Sequence, residues 1–156
     1  MHHATGLEHD ETGRPFEGTA NRVAQTDKRQ RKLATVVKQF SHPVKRDTPY
    51  EEADLLVIGV GASSGPMTEA VARLRQDGFR VNQAVIRLLQ PFPTDLLETE
   101  MGKAKQIVVV EHNATAQLAA LIRMRTTVGR PVHSVLKYDG NPFRPAEIDA
   151  GCREVL

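Results

Sequence analysis

Apolar residues are sparse at the start of the chain and then crowd together in two different rhythms. Almost nothing apolar precedes Leu33. Leu33, Val36, Val37 and Phe40 then recur at i, i+3, i+4 and i+7, the period of one helix face. A helix is therefore predicted from Asn21, a residue type suited to an N-cap, to Phe40. Lys28, Arg29, Arg31 and Lys32 come before that face, so the first half of the helix should be polar and the second half docked. Pro43 and Pro49 interrupt regular structure after it.

From Asp54 onward the rhythm changes to alternating blocks. Leu55–Val60 is a continuous apolar run, as expected of a strand buried on both faces. Gly59, Gly61 and Gly65 punctuate a turn, and Met67, Ala70, Val71 and Leu74 mark the helix that follows. Pro66 suits its first turn and Gly78 its stop. Val81–Leu89 reads as a second strand ended by Pro91 and Pro93, and Thr94–Gly102 as a shorter helix. Ile107–Val110 reads as a third strand, Thr115–Thr127 as a helix, Val132–Lys137 as a fourth strand and Pro145–Cys152 as a last helix. Four strands alternating with helices predict a three-layer α/β domain, a mostly parallel sheet with helices on both faces. The division is expected near residue 50, with an arm, helix and linker over 1–50 and the α/β domain over 51–156.

Composition refines this picture. The chain of 156 residues is 40% hydrophobic with 4% aromatics and no Trp, so the core must be aliphatic. A formal charge of +2 gives no argument for a nucleic-acid or membrane partner, and no apolar run reaches the length of a membrane-spanning helix. Met1-His2-His3 lacks the apolar stretch of a signal peptide. Cys152 is the only cysteine, which rules out an internal disulfide and a four-thiolate iron–sulfur site within the chain and points to a reduced, cytoplasmic protein.

Candidate chemistry is thin. Gly59-x-Gly61-x-x-x-Gly65 between a strand and a helix has the makings of an anion cradle. The spacing departs from the dinucleotide fingerprint, however, no acidic residue ends the second strand, and the turn suits a plain strand-to-helix connection equally well. His9-Asp10-Glu11 reads as a turn stabilised by its own carboxylates, because adjacent residues rarely converge on one metal ion. Glu111-His112-Asn113-Ala114-Thr115-Ala116-Gln117 sits where open α/β sheets bind ligands, after the carboxyl end of a strand. Glu111, His112, Asn113, Thr115 and Gln117 are thus candidates for a ligand or interface turn, and capping of the next helix by Asn113, Thr115 and Glu111 is the alternative. Tyr138 and Phe143, around the turn dipeptides Asp139-Gly140 and Asn141-Pro142, are candidate interface anchors. No metal site, no Ser/His/Asp set and no Cys/His pair emerges, so no catalytic residue is assigned.

Taken in order, several segments resemble one family. They are Ala4-Thr5-Gly6-Leu7-Glu8-His9-Asp10-Glu11-x-Gly13, then Lys28-Arg29-x-Arg31-Lys32-Leu33, Leu89-x-Pro91-Phe92-Pro93, Val109-Val110-Glu111-x-Asn113-Ala114-Thr115-x-Gln117-Leu118, and Leu136-Lys137-Tyr138-Asp139-Gly140-x-Pro142-Phe143. The chain resembles the C-terminal part of the α subunit of 2-oxoacid:ferredoxin oxidoreductases, particularly the 2-oxoglutarate type. The resemblance implies a domain similar to the C-terminal domain of transketolases, with a role in assembly and shaping. It also implies a complex that decarboxylates a 2-oxoacid on thiamine diphosphate and yields an acyl-CoA. In such a complex thiamine diphosphate, Mg²⁺ and an iron–sulfur cluster are held elsewhere, ferredoxin takes the electrons, and coenzyme A takes the acyl group. The implied partners are a β subunit, an N-terminal α domain and a second copy of the chain. One departure stands out: the family pattern has Gly where this chain has Ala116. If the position needs φ > 0, Ala costs on the order of 1 kcal/mol there. The alternatives are a stand-alone oligomerisation or scaffold module, and a small nucleotide- or CoA-binding domain using Gly59–Gly65.

Overall fold

The structure, a computed structural model, describes residues 5–156, apart from the side chain of Val37. Met1-His2-His3 and Ala4 lie outside the described residues. Two compact units meet between Ser41 and His42. The division therefore falls earlier than the expected position near residue 50. The reason is a strand that the sequence pattern does not reveal, β1 (Val44–Asp47), which belongs to the sheet.

In the first unit, residues 5–18 form a tight loop ahead of helix α1 (Thr19–Gln39). Asp10 Oδ1 accepts hydrogen bonds from Thr12 N, Thr12 Oγ1 and Arg14 N at 2.8, 2.7 and 3.1 Å. This is the self-stabilised turn expected for His9-Asp10-Glu11. The buried Glu8 carboxylate receives both guanidinium nitrogens of Arg29, at 3.1 and 2.6 Å, and that contact holds its pKa down at about 2. Asn21 is not the N-cap. Gly18 holds that position, and the Asn21 amide instead donates to Phe16 O and His9 O, at 2.8 and 3.2 Å, drawing the loop onto the helix. Of the apolar face expected to dock, Leu33 and Phe40 are half-buried and Val36 is exposed.

The second unit is a five-stranded sheet. Its strands are β1, β2 (Ala53–Val60), β3 (Val81–Ile86), β4 (Ala104–Glu111) and β5 (Val132–Leu136), in the order β1-β3-β2-β4-β5. All neighbours are parallel except β1, which runs antiparallel to β3. Helices α2 (Ser64–Gln76), α3 (Thr94–Gly102), α4 (Gln117–Arg125) and α5 (Pro145–Arg153) complete the unit. Successive strand residues point to opposite faces and feed two separate cores. Leu56, Ile58, Ile107 and Val109 pack with Leu97 and Met101 of α3 and Ile122 of α4. Leu55, Val57, Val108 and Val110 pack with Met67, Val71 and Leu74 of α2 and Ile148 of α5. Each fully buried aliphatic side chain contributes about 1.5–3 kcal/mol, so the continuous apolar runs of β2 and β4 are what place these strands at the centre. The three-layer, mostly parallel architecture is the one expected, with an added antiparallel edge.

Two fastenings hold that edge. The buried Asn82 amide of β3 accepts from Tyr50 N at 3.1 Å and donates to Tyr50 O at 2.7 Å. Arg75 of α2 donates to Asp47 Oδ2, Asp47 O and Val81 O at 2.8, 3.1 and 2.8 Å. Strand β3 ends at Ile86 and does not reach Leu89, with Arg87 N bonded to Pro43 O at 2.8 Å.

Candidate functional site

The chain leaves β2 and travels through α2 to β3 on one side, then returns through α3 to β4 on the other. The direction of winding therefore reverses between β2 and β4, and their carboxyl ends diverge to open a crevice there. A cleft of about 450 Å³ occupies this point. Val60, Leu89, Leu118 and Leu121 form its apolar wall, and His112, Asn113 and Gln117 its polar rim.

Two strand-to-helix turns flank the cleft. In the first, Val60 leads into a 3-10 turn, Gly61–Ser63, before α2. The buried Ser63 hydroxyl accepts from Val60 N at 3.1 Å and donates to Val60 O at 3.0 Å. A Cβ on Gly59 would meet Ser63 Oγ at 2.5 Å and Met67 Sδ at 3.0 Å, so this glycine makes room for the serine. Gly61 takes φ +57°, a conformation open to glycine at little strain. Gly65 lies within α2 with nothing near its missing side chain. The turn uses Ser63 to satisfy its strand end internally, a role that the spacing of the glycines did not reveal.

The second turn runs from Glu111 to Gln117. Glu111 is buried at 2% exposure, and its carboxylate faces inward. Oε2 accepts from Leu118 N and Asn113 Nδ2, both at 2.6 Å, and Oε1 accepts from Ala119 N at 3.1 Å. Asn113 Oδ1 accepts from Thr115 N at 3.0 Å and Gln117 N at 3.2 Å. The side chains of Glu111 and Asn113 thus cap the start of α4, where free N–H groups and the helix dipole favour an anion. Thr115 takes part through its backbone N–H. Ala116 adopts φ 53°, ψ 46°, the only non-glycine residue at positive φ among the described residues. The conformation that asks for glycine is therefore present, and α4 starts after it, at Gln117 rather than Thr115. The His112 ring lies 4.6 Å from that of Phe143, tilted by 51°. Phe143 is buried, so of the two aromatics expected at an interface only Tyr138, 72% exposed, reaches the surface.

Reactive groups are few. Burial pushes the Cys152 thiol up to about 12, leaving it un-ionised and a poor nucleophile. A single buried thiol does not fit the ligand set of an iron–sulfur cluster. The Glu111 carboxylate is turned inward onto three donors, which does not fit a Mg²⁺ ligand or the anchoring acid of a thiamine. No helix among the described residues is long and apolar enough to cross a membrane.

Residues 53–148 match the family of the pyruvate:ferredoxin oxidoreductase core domain II. The chain belongs to that family. It is 33% identical over 153 residues to the α subunit of 2-oxoacid:ferredoxin oxidoreductase 2 from Aeropyrum pernix, covering 97% of this chain and 24% of that subunit. Among solved structures, it superposes on 2-oxoglutarate:ferredoxin oxidoreductase from Magnetococcus marinus with a TM-score of 0.81 and 32% identity, covering 99% of this chain and 27% of that one. A split-gene transketolase shares the fold at a TM-score of 0.58 and 17% identity, covering 72% of this chain and 41% of that one. The core domain II relatives are α subunits of 2-oxoacid:ferredoxin oxidoreductases, including the 2-oxoglutarate type, and this chain spans about a quarter of their length. The resemblance read from the ordered motifs is thereby borne out, as is the transketolase-like architecture.

Proposed function

We propose that this chain supplies the assembly domain of the α subunit in a thiamine-diphosphate-dependent 2-oxoacid:ferredoxin oxidoreductase, with 2-oxoglutarate as the 2-oxoacid. The complex converts the 2-oxoacid to an acyl-CoA and passes electrons to ferredoxin. The observation that carries this reading is near-complete coverage of the chain by a quarter of a much larger enzyme. The side-chain chemistry agrees. The acid, amide and hydroxyl groups nearest the strand ends are engaged in closing their own turns, which leaves them a shaping role. Thiamine diphosphate, Mg²⁺ and the iron–sulfur cluster are held by the β subunit and the rest of the complex, which is cytoplasmic.

In this reading the Glu111–Gln117 turn and the apolar cleft beside it form a contact surface for an adjoining part of the enzyme. Leu89, 45% exposed, belongs to that cleft, and Tyr138, 72% exposed, offers a second contact in the hollow it lines with Phe143. The partners are a β subunit, an N-terminal α domain and a second copy of the chain. The test is size-exclusion chromatography of the chain with a cognate β subunit and N-terminal α domain, combined with a viologen-reduction assay. Co-elution is expected, with 2-oxoglutarate-dependent dye reduction only when all parts are present. Separate elution, or dye reduction by the chain alone, would refute the reading.

A further inference from the structure

The two edges of the sheet are guarded very differently. At one edge, Lys45, Arg46 and Asp47 of β1 are exposed, the kind of charge by which an edge strand discourages pairing with other chains. At the other edge, β5 reads Val-His-Ser-Val-Leu, half-buried throughout and without a Lys, Arg, Asp or Glu. The register with β4 decides which of its backbone groups are already taken. Pro131 O accepts from Ile107 N at 3.0 Å, and Lys137 N donates to Glu111 O at 3.2 Å. In a parallel ladder of this register His133 and Val135 also face β4, and Val132, Ser134 and Leu136 turn both N–H and C=O outward. Pro131 therefore belongs to the paired side and does not block the outer edge. Arg123 of α4 donates to Val132 O at 2.6 Å. Among the described residues nothing else bonds this outward row. Unpaired backbone groups along a half-buried strand are a template for another strand.

We propose that the β5 edge pairs antiparallel with β5 of a second copy of this chain, on a two-fold axis through Ser134. The proposal rests on the assembly reading, which names a second copy among the partners, and it gives that copy its seat. An antiparallel ladder bonds residues whose N–H and C=O both face the other strand, so the row Val132, Ser134, Leu136 must meet the same row of the copy. The register centred on Ser134 uses the whole row. It sets Val132 opposite Leu136 of the copy and Ser134 opposite itself, and it closes about six backbone hydrogen bonds. The Val132 carbonyl keeps a second lone pair for Arg123. A shift by two residues leaves one end of the row unpaired, and in one direction it opposes His133 to itself. The side chains suit the central register. Val132 meets Leu136 and His133 meets Val135, so no like charges stand opposed. Past the strand ends the same register brings Tyr138, 72% exposed, toward the exposed Arg130 of the copy, a cation against an aromatic ring.

The test is analytical ultracentrifugation of the full chain, alone and with the β subunit. The chain alone should sediment as a dimer. Ser134→Pro removes an outward N–H but no bond to β4, and should give the mass of one chain with an unchanged circular dichroism spectrum. Ser134→Lys and Ser134→Glu each oppose like charges on the axis and should also be monomeric. An equal mixture of those two should regain the dimer, and lose it again as salt is raised. The mixture decides the matter even where the proline variant does not fold. A monomeric parent chain, a dimer that persists in any of the three variants, or charge variants that mixing does not rescue would each overturn the proposal. Binding of the β subunit is read separately. A monomeric chain that still binds it defeats the edge pairing and leaves the assembly reading standing; a dimer that fails to bind it does the reverse.

Discussion

The two turns beside the switch-point cleft solve one problem with different materials. Both end a central parallel strand, both lead into a helix, and both include one residue in the left-handed region, at φ 57° for Gly61 and φ 53° for Ala116. The first turn closes with a neutral hydroxyl serving its own strand end through two hydrogen bonds. The second closes with a buried carboxylate that takes three donors and reaches into the next helix. A charged acceptor binds its donors more strongly than a neutral one, and its removal strands more of them. The comparison teaches that the second turn can tolerate a strained alanine because its anchor is strong.

The most severe challenge to that view is Glu111→Ala. It leaves the N–H groups of Leu118 and Ala119 and the Asn113 amide without their acceptor, and should lower stability by about 3 kcal/mol. Urea unfolding at constant m-value reads this directly; a loss under about 1 kcal/mol would break the comparison. Next in size is Gly59→Ala. The added methyl collides with Ser63 Oγ and Met67 Sδ, at about 2 kcal/mol of overpacking, visible as a lower denaturation midpoint. If the midpoint is unchanged, the first turn is looser than described. Ser63→Ala removes two neutral hydrogen bonds and should cost about 1–1.5 kcal/mol. Amide exchange at Val60, whose N–H it accepts, should quicken while that of Leu118 stays protected. The smallest effects have opposite signs. Left-handed strain of about 1–2 kcal/mol at Ala116, offset by the roughly 0.5–1 kcal/mol entropy of a glycine in the unfolded chain, leaves a net gain of about 0.5–1 kcal/mol for Ala116→Gly. Gly61→Ala should lose a similar amount, so thermal melts should move in opposite directions by about 2–6 °C. Equal signs would mean that the two turns do not share a conformation.

Most of the sheet was legible from the sequence because burial on both faces writes itself as uninterrupted apolar runs, as in Leu55–Val60 and Ile107–Val110. Strand β1 was not legible because an edge strand needs little burial. Only Val44 of its four residues is buried, and Lys45, Arg46 and Asp47 read as linker. Asn21 was misplaced as a cap because its amide serves the loop, a contact that local preference does not encode. At the candidate site, the capping by Asn113 and Glu111 was visible from residue type and spacing, whereas the question of φ > 0 at Ala116 was raised only by the family resemblance, whose pattern has Gly there. The pairing of His112 with Phe143 and the inward aim of Ser63 were not visible, since each depends on how elements meet in space. The ion pair of Arg46 with Glu100 was likewise hidden, because the two are far apart along the chain and are joined only when β1 lies beside α3.

The clasp of Asn82 on Tyr50, with Arg75 gripping Asp47, has a mechanical corollary. The first strand is retained by attachments on both sides of the Thr48–Pro49 step, where Thr48 is half-buried and Pro49 exposed, not by chain continuity alone. Proteolytic nicking at that step should therefore yield two pieces that travel together under native conditions and part only in denaturant. The segment upstream of β2 is held as a guest of the sheet as well as tethered to it.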